Sequence, residues 1–403
     1  PAAFFDLELD LAEHFLAAGA VVDWTRVICS FHDFTGIPDL DSLYSRLVRI
    51  PARVLKIAVA LDDAVENVDI FKLLARGKSE GRELIAIGMG RAGIPARVLG
   101  PSRGSFLTYA ALNYSSTNGP GQLTASELRD QYGVDQITGS TELTGLIGNP
   151  VSHSLSPQIH NAAFKSEALD VVYLPFQVRD LTAFMRRMVH PQSREVDLRI
   201  RGLSVTSPHK RPVMDQLDWI DPPAKEIGAV NTIVIDNKGL SGYNTDATGF
   251  IGPLKERFGE LRDWRCAVIG AGGGASAAVY VLLQHGTAVK VFARDLERAR
   301  PLSGKFGVRV YDLEGASFAG FDLVVNATVL GTVGQFQQST PATARQLRGA
   351  RLAYDLVYNP SETRFLREAR KAGCETSEAV RRAADLPHTH RVARDRHAKS
   401  VTV

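Results

Sequence analysis

A chain of 403 residues with 44% hydrophobic and 23% charged content is ordinary globular material, long enough for two or three domains with buried cores. Its 47 basic and 44 acidic residues leave a formal net charge of +3, too small for the broad basic field of a nucleic-acid binder. No apolar run reaches membrane-spanning length and no signal peptide is evident, so a non-membrane, cytoplasmic protein is expected, or a plastidic one in a plant. Cys29, Cys266 and Cys374 are odd in number, far apart and without metal-ligand spacing. They are expected to be reduced, buried thiols, with no metal bound.

The first apolar runs are Phe4–Leu9, Val27–Phe31, Val54–Val59, Leu84–Met89 and Phe106–Ala110, and each is expected to form a strand. Helix-like segments at Leu11–Ala18, Asp39–Arg49 and Val65–Ala75 alternate with the first four, which predicts parallel strands joined by crossover helices. A polar stretch over 131–141 has no apolar periodicity and is expected to be a linker. A second alternating region has strands near Leu143–Ile147, Val171–Leu174 and Leu203–Val205, with a helix opening at Pro157 and a hairpin turn at Asn237-Lys-Gly239. A third unit starts at Cys266–Ile269, passes through a glycine turn into a helix ending near Gln284, and returns as a strand at Val289–Phe292. That βαβ unit is the minimum for a dinucleotide fold, and further strands are expected at Leu323–Val325 and Leu352–Asp355.

Chemistry-bearing residues concentrate at the ends of these runs. His32 closes an apolar strand, and Lys56 lies inside another whose remaining residues are apolar. Desolvation of an ammonium in such a place favours the free amine, the form that attacks a ketone to give a Schiff base. A neighbouring histidine that moves protons would suit loss of water beside that ketone. In the third unit, Gly270, Gly272, Gly273, Gly274 and Ala275 open a helix directly after a strand. The first glycine permits the tight turn, the next lets a pyrophosphate approach the backbone, and Ala275 lets helix and strand pack closely. At the end of the following strand stands Ala293-Arg294-Asp295, with no acid at 293 to accept from a ribose 2′-hydroxyl. Arg294 is expected to pair with a 2′-phosphate, which makes NADP the expected cofactor, although Asp295 would repel that phosphate if it pointed inward.

Five motifs then follow one another: Gly148-Asn-Pro-Val-Ser-His-Ser-Leu-Ser-Pro157, Val205-Thr-Ser-Pro-His-Lys210, Gly228-Ala-Val-Asn-Thr232, Gly242-Tyr-Asn-Thr-Asp246 and Gly270-Ala-Gly-Gly-Gly-Ala275. In this order they resemble shikimate dehydrogenase, over residues 142–376. The resemblance implies that Lys210 and Asp246 form the reaction centre, the lysine serving as proton donor beside the hydride donor. It further implies that Asn231 and Thr206 bond ring hydroxyls of the substrate, that Ser154 and Ser156 bind its carboxylate, and that Tyr358 lies near substrate and nicotinamide. Before residue 131, Ser30-Phe-His-Asp-Phe34, Val54-Leu-Lys-Ile-Ala-Val59, Gly88-Met-Gly90, Arg97, Gly104-Ser105 and Gly119-Pro-Gly-Gln122 resemble type I 3-dehydroquinate dehydratase. This second resemblance implies a (β/α)8 barrel in which His32 and Lys56 are catalytic and Arg97, Ser105 and Gln122 bind substrate carboxylate and hydroxyls.

Together these imply an α/β chain: a partial barrel over 1–131, a substrate-binding domain over 142–246, a Rossmann domain for NADP over 247–376, and a tail over 377–403. The implied substrates are 3-dehydroquinate, 3-dehydroshikimate and shikimate, with a quinate/shikimate dehydrogenase or an inactive ligand-sensing homologue as the alternatives. Departures from the families are also legible. The cofactor segment usually reads Asn-Arg-Thr where this chain has Ala293-Arg294-Asp295. No Gln follows Gln346, where the family has a substrate-binding glutamine on a closing helix. A metal site from His388, His390 and His397 is not expected. About five strands precede residue 131, the chain opens on Pro1, and the dehydratase resemblance begins midway through that family's barrel. Little dehydratase activity is therefore expected of this stretch by itself.

Overall fold

The computed structural model describes residues 3–113, 121–152 and 154–378; the histidine-rich tail lies outside them. It divides into two compact units, one running to His209 and including Ile235–Gly239, the other comprising Lys210–Val234 and the described residues from Leu240 onward. Among the described residues no helix is long and apolar enough to cross a membrane.

The first unit opens with β1 (Phe5–Glu8), α1 (Leu9–Ala17), β2 (Val27–Asp33), α2 (Leu40–Leu47), β3 (Val54–Ala60), α3 (Asn67–Ser79), β4 (Glu83–Met89) and α4 (Ile94–Leu99). The four strands pair in parallel and in chain order, as the strand–helix alternation required. Register sets Glu8, Ser30, Lys56 and Ile85 in one row across them, with Asp6, Ile28 and Val54 in the neighbouring same-face row. Ile28, Val54, Ala58, Ile85, Ile87 and Met89 make that face an apolar core, into which the polar members of the rows project. The expected strand at Phe106–Ala110 does not form. Phe106 N–H reaches only Leu84 O (2.8 Å), and Ser105 makes an isolated bridge to Leu84. Here Ser105 Oγ donates to Leu107 O, a local side-chain bond, and Thr108 Oγ1 donates to Arg97 O beyond it, and both occupy carbonyls with hydroxyls in place of ladder N–H groups.

The same unit continues through β5 (Glu142–Gly148), α5 (Ser156–Ser166), β6 (Val171–Gln177), α6 (Leu181–Phe184) and β7 (Ile200–Val205), with β5 lying parallel between β6 and β7. Within the stretch expected to be a linker, Tyr132 and Thr141 are buried and Thr141 Oγ1 donates to Asp170 (2.6 Å), while residues 135, 136 and 138–140 are exposed. Asp63, just beyond β3, joins the two halves of this unit. Its Oδ1 accepts from Val65 N, while its Oδ2 accepts from the N–H groups of Arg179 (2.9 Å) and Asp180 (2.7 Å). Arg187 adds ion pairs to Asp69 (2.8 Å) and Glu195 (2.6 Å).

Beyond it come β8 (Trp219–Ile220), α7 (Pro222–Ile227), β9 (Thr232–Asp236) and β10 (Gly239–Tyr243), the last two separated by the expected Asn237-Lys238 turn. The second unit then builds α8 (Asp246–Phe258), β11 (Arg265–Ile269), α9 (Gly273–Gln284), β12 (Ala288–Ala293), α10 (Leu296–Phe306), β13 (Arg309–Asp312), β14 (Leu323–Asn326), α11 (Ala344–Leu347), β15 (Leu352–Asp355), α12 (Arg364–Lys371) and β16 (Glu375–Glu378). Its sheet is wholly parallel in the order β13-β12-β11-β14-β15-β16. Chain order reverses between β11 and β14, and such a switch point opens a crevice at the carboxyl ends of the strands. Apolar side chains of α8 and α9, including Phe250, Leu254, Ala275 and Val279, pack on one face of this sheet. β13 and β16 escaped the sequence reading because they are short edge strands with polar ends.

Candidate active site

In the second unit Lys210 Nζ donates to Asp246 Oδ2 at 2.5 Å, both side chains about one-fifth exposed. Asp246 is the first residue of α8, where the partial positive charge of a helix N-terminus favours a carboxylate. Its backbone N–H donates to Asn244 Oδ1 (3.0 Å), and Asn244 Nδ2 donates to Ala229 O (2.8 Å), so Asn244 anchors the start of this helix. Asn231 Nδ2 reaches Asp246 Oδ1 (2.9 Å) and Thr245 Oγ1 (3.0 Å), while Asn231 Oδ1 accepts from Thr245 N and Thr232 Oγ1. The amide therefore orients the carboxylate that orients the lysine. Val230 N donates to Lys210 O (2.7 Å), which fixes the lysine's backbone beside the Asn231 segment. The arrangement offers one ammonium, held by a carboxylate and still partly open, as a proton donor.

The glycine turn follows β11 at the switch point. Gly270 has φ +126°, and a Cβ there would come within 2.9 Å of Ala327 O beyond β14, so the turn demands glycine. Above Gly272 there is open space, whereas a Cβ on Gly273 would lie 3.1 Å from Lys210 Cδ and 3.3 Å from Ala229 Cβ. The Lys210 side chain thus lies close beside the N-terminal turn of α9, where a Cβ on Gly273 would crowd it. Ala275 is fully buried, as close packing of helix on strand requires. An open, glycine-lined backbone leading into a helix N-terminus suits a diphosphate, so these residues fit a dinucleotide. Arg294 is exposed at the end of β12. Asp295 Oδ1 accepts from Arg298 N (2.9 Å) as the cap of α10, which ties its carboxylate to that helix.

In the first unit, α5 begins at Ser156 rather than Pro157, and Ser156 is a helical residue, not the cap. Ser154 Oγ accepts from Ser156 N (3.1 Å) and donates to Ser156 Oγ (3.0 Å), a local bond that holds both hydroxyls together, half-buried. Thr206 lies beside the same loop, since a Cβ on Gly148 would strike Thr206 Cγ2 at 2.3 Å. Tyr358, in the other unit, follows β15 and is half-buried. It comes three residues after Asp355, the fully buried carboxylate that ends β15.

On the sheet of β1 to β4, Lys56 Nζ pairs with Asp6 Oδ2 at 2.7 Å and lies 4.9 Å from the centroid of the Tyr109 ring. His32 Nδ1 bonds Glu8 Oε1 at 2.5 Å. Sequence reading found the lysine and the histidine but missed both carboxylates. Their signal was present as two acids at alternate positions of a short strand, Asp6 and Glu8, which must share a face. Ser30, in the row between Glu8 and Lys56, carries a buried hydroxyl without a hydrogen-bond partner. Arg97 is buried in α4, where desolvation brings its guanidinium down to about 10. Ser105 spends its hydroxyl on Leu107 O, and Gln122 follows Gly121, whose φ of +66° and approach to Gly90 O exclude a side chain. The Gly88-Met-Gly90 motif is thus at least partly a matter of backbone packing. The three cysteines are free and buried, with burial raising Cys29 and Cys266 to about 12. No metal-holding cluster exists among the described residues.

A doubly wound sheet with a glycine turn at its switch point and a lysine–carboxylate pair near that turn fits the class of nucleotide-dependent oxidoreductases. Residues 1–139 match type I 3-dehydroquinase, and residues 146–233 match the shikimate dehydrogenase substrate-binding domain. A shikimate dehydrogenase (NADP+) of Moorella thermoacetica is 41% identical over 252 residues, 59% of this chain and 83% of that protein. A chloroplastic bifunctional 3-dehydroquinate dehydratase/shikimate dehydrogenase of Arabidopsis thaliana is 33% identical over 399 residues, 93% of this chain. The chain spans 64% of that relative's length. Among solved structures, a Thermus thermophilus shikimate 5-dehydrogenase in complex with NADP(H) and shikimate superposes with a TM-score of 0.53 at 36% identity, covering 60% of this chain and 89% of that one. The chain belongs to the shikimate dehydrogenase family, and its first 139 residues match type I 3-dehydroquinase.

Proposed function

We propose that residues 142–376 reduce 3-dehydroshikimate to shikimate with NADPH, residues 142–246 serving the substrate and 247–376 the nucleotide. The Lys210–Asp246 pair, with Lys210 beside the glycine turn, is the observation that carries this reading. Bound nucleotide would supply a hydride to the ketone carbon. Lys210 gives a proton to the carbonyl oxygen as negative charge builds there, and Asp246 keeps the ammonium aimed and stabilises it. Asn231 holds Asp246 in place. Ser154 and Ser156 bind the substrate carboxylate with neutral donors, and Thr206, Asn231 and Tyr358 contact the ring. Gly270, Gly272, Gly273, Gly274 and Ala275 accept the diphosphate, and Arg294 takes the 2′-phosphate, with Asp295 spent on capping α10. The test is oxidation of shikimate with NADP+, followed by absorbance of the reduced nicotinamide, in parallel with quinate and with NAD+. Turnover at least tenfold faster with shikimate and NADP+ is expected. Preference for quinate would reassign the substrate, and saturable shikimate binding without turnover would make the chain a sensor.

Residues 1–131 are proposed to carry the Schiff-base half of a 3-dehydroquinate dehydratase. Lys56 would attack the ketone and lose water to form the imine, while His32 moves the proton whose removal allows dehydration. Asp6 and Glu8 hold these two side chains. Exposure to 3-dehydroquinate and borohydride should add one reduced ligand to Lys56, seen as a mass increase on its peptide. Lys56→Ala should abolish the adduct, and an adduct on another lysine would remove Lys56 from the mechanism.

A further inference from the structure

Arg211 follows the catalytic-type lysine directly, yet its side chain goes elsewhere. Its Nη2 donates to Ala271 O (3.0 Å), inside the glycine turn, and to Ser276 Oγ (3.0 Å), in the first turn of α9. No described residue accepts from its Nε or Nη1. The guanidinium is half-buried at the positive end of a helix, where the peptide dipoles disfavour a cation. Further cations share this region. Lys305 approaches Gly228 so closely that a Cβ there would lie 2.5 Å from its Nζ, which donates to Lys225 O (3.0 Å). Arg298 stands in the first turn of α10. Burial and the Arg298 charge both lower Arg211, while burial and the Arg211 charge lower Lys305. Glu226 acts on Lys305 in the opposite sense. A guanidinium beside like charges and a helix N-terminus is badly placed for stability alone and well placed to receive an anion.

We propose that Arg211 is a ligand of the cofactor diphosphate and that it ties the Lys210 segment to the glycine turn, so that seating the nucleotide also sets the lysine. The proposal rests on the dehydrogenase reading above. One end of the guanidinium holds the turn through Ala271 O and Ser276 Oγ, which leaves its other donors available to the anion. Because Lys210 and Arg211 are consecutive, movement of the turn cannot leave the lysine behind.

The test measures dissociation constants of NADPH and NADH by nucleotide fluorescence for the wild type, Arg211→Gln and Arg211→Lys. Glutamine keeps a donor for Ala271 O and removes the charge; lysine keeps the charge and loses the fork. For Arg211→Gln, both nucleotides should bind more than tenfold more weakly, with a shallower salt dependence, because the diphosphate is common to both. Arg211→Lys should recover most of that loss. In steady state the KM for NADP+ should rise by more than the fall in kcat. Nucleotide affinities of Arg211→Gln within twofold of wild type, with thermal midpoints unchanged, would overturn the proposal. Loss confined to NADPH would also overturn it, by placing the guanidinium at the 2′-phosphate. If Arg211→Gln does not fold, Arg211→Met decides by the same readouts: both nucleotides bound more than tenfold more weakly with a shallower salt dependence supports the contact, and affinities within twofold of wild type overturn it. Wild-type protein that binds neither nucleotide removes the dehydrogenase reading itself, whereas wild-type binding matched by Arg211→Gln removes only the role of Arg211.

Discussion

Lys210→Ala should lower kcat for shikimate oxidation by a factor on the order of 10² to 10⁴, the usual worth of a positioned proton-transfer group. NADPH affinity should stay within about threefold, since the glycine turn, its helix N-terminus and the exposed Arg294 are untouched by the change. Steady-state kinetics and nucleotide fluorescence on the same preparation separate the two effects. Asp246→Asn should lower kcat less, because an amide can still accept from Nζ yet no longer neutralises the ammonium. The geometry supports this ordering: Lys210 Nζ is the proton-bearing atom of the pair, while Asp246 and Asn231 are each engaged in holding their neighbour. Near-normal turnover by the alanine variant would show that the proton comes from elsewhere.

Asp355 should make the wild-type protein lose stability as pH rises from about 4 to 8, and Asp355→Asn should remove that dependence. The carboxyl is fully buried at the end of β15. Asn326 Nδ2 (2.9 Å) and Val357 N (2.9 Å) donate to its Oδ1, and Thr363 Oγ1 (2.6 Å) bonds its Oδ2. Those bonds favour the carboxylate, but desolvation outweighs them and raises the group from 3.8 to about 7. Between those values the folded state binds more protons than the unfolded chain, so stability is fully present below pH 3.8 and is lost as pH passes 7. At 1.36 kcal/mol per unit the whole swing is at most about 4 kcal/mol, large beside the usual net stability of a domain. Asparagine is nearly isosteric: its oxygen can accept from Asn326 and Val357, and its amide can donate to Thr363 Oγ1. Thermal midpoints from pH 4 to 8 should therefore converge or cross between the two proteins. Parallel curves would mean that Asp355 stays ionised when folded.

Much of this protein was legible in the order of its residues. Four parallel strands and the β11–α9–β12 unit follow from apolar runs alternating with helical periods, because each period dictates which side chains share a face. The glycine turn was equally plain, since Gly270 occupies a backbone region that other residues avoid and a space that a Cβ would fill. Lys56 and His32 stood out as polar residues in the middle and at the end of apolar strands, while Lys210 and Asp246 were marked by the resemblance of their motifs to the family.

What the sequence could not decide was partnership, because a side chain's neighbours come from strand register and from loops that meet only after folding. Asp6 and Glu8 look like ordinary acids of a short strand until pairing with β2 brings one beneath Lys56 and the other to His32. Phe106–Ala110 is apolar enough for a strand, yet it lies outside the ladder, with hydroxyl-to-carbonyl bonds from Ser105 and Thr108 instead. Asp295 looked like a threat to a phosphate, and its bond to Arg298 N makes it a helix cap. Arg211 carries no motif of its own, and only the tertiary structure delivers its guanidinium to a turn sixty residues away. Composition and periodicity determine which segments are buried and in what local shape, because those depend on a residue and its near neighbours. Charge pairing at a site depends on distances between segments remote in the chain, and those exist only once the sheets have formed.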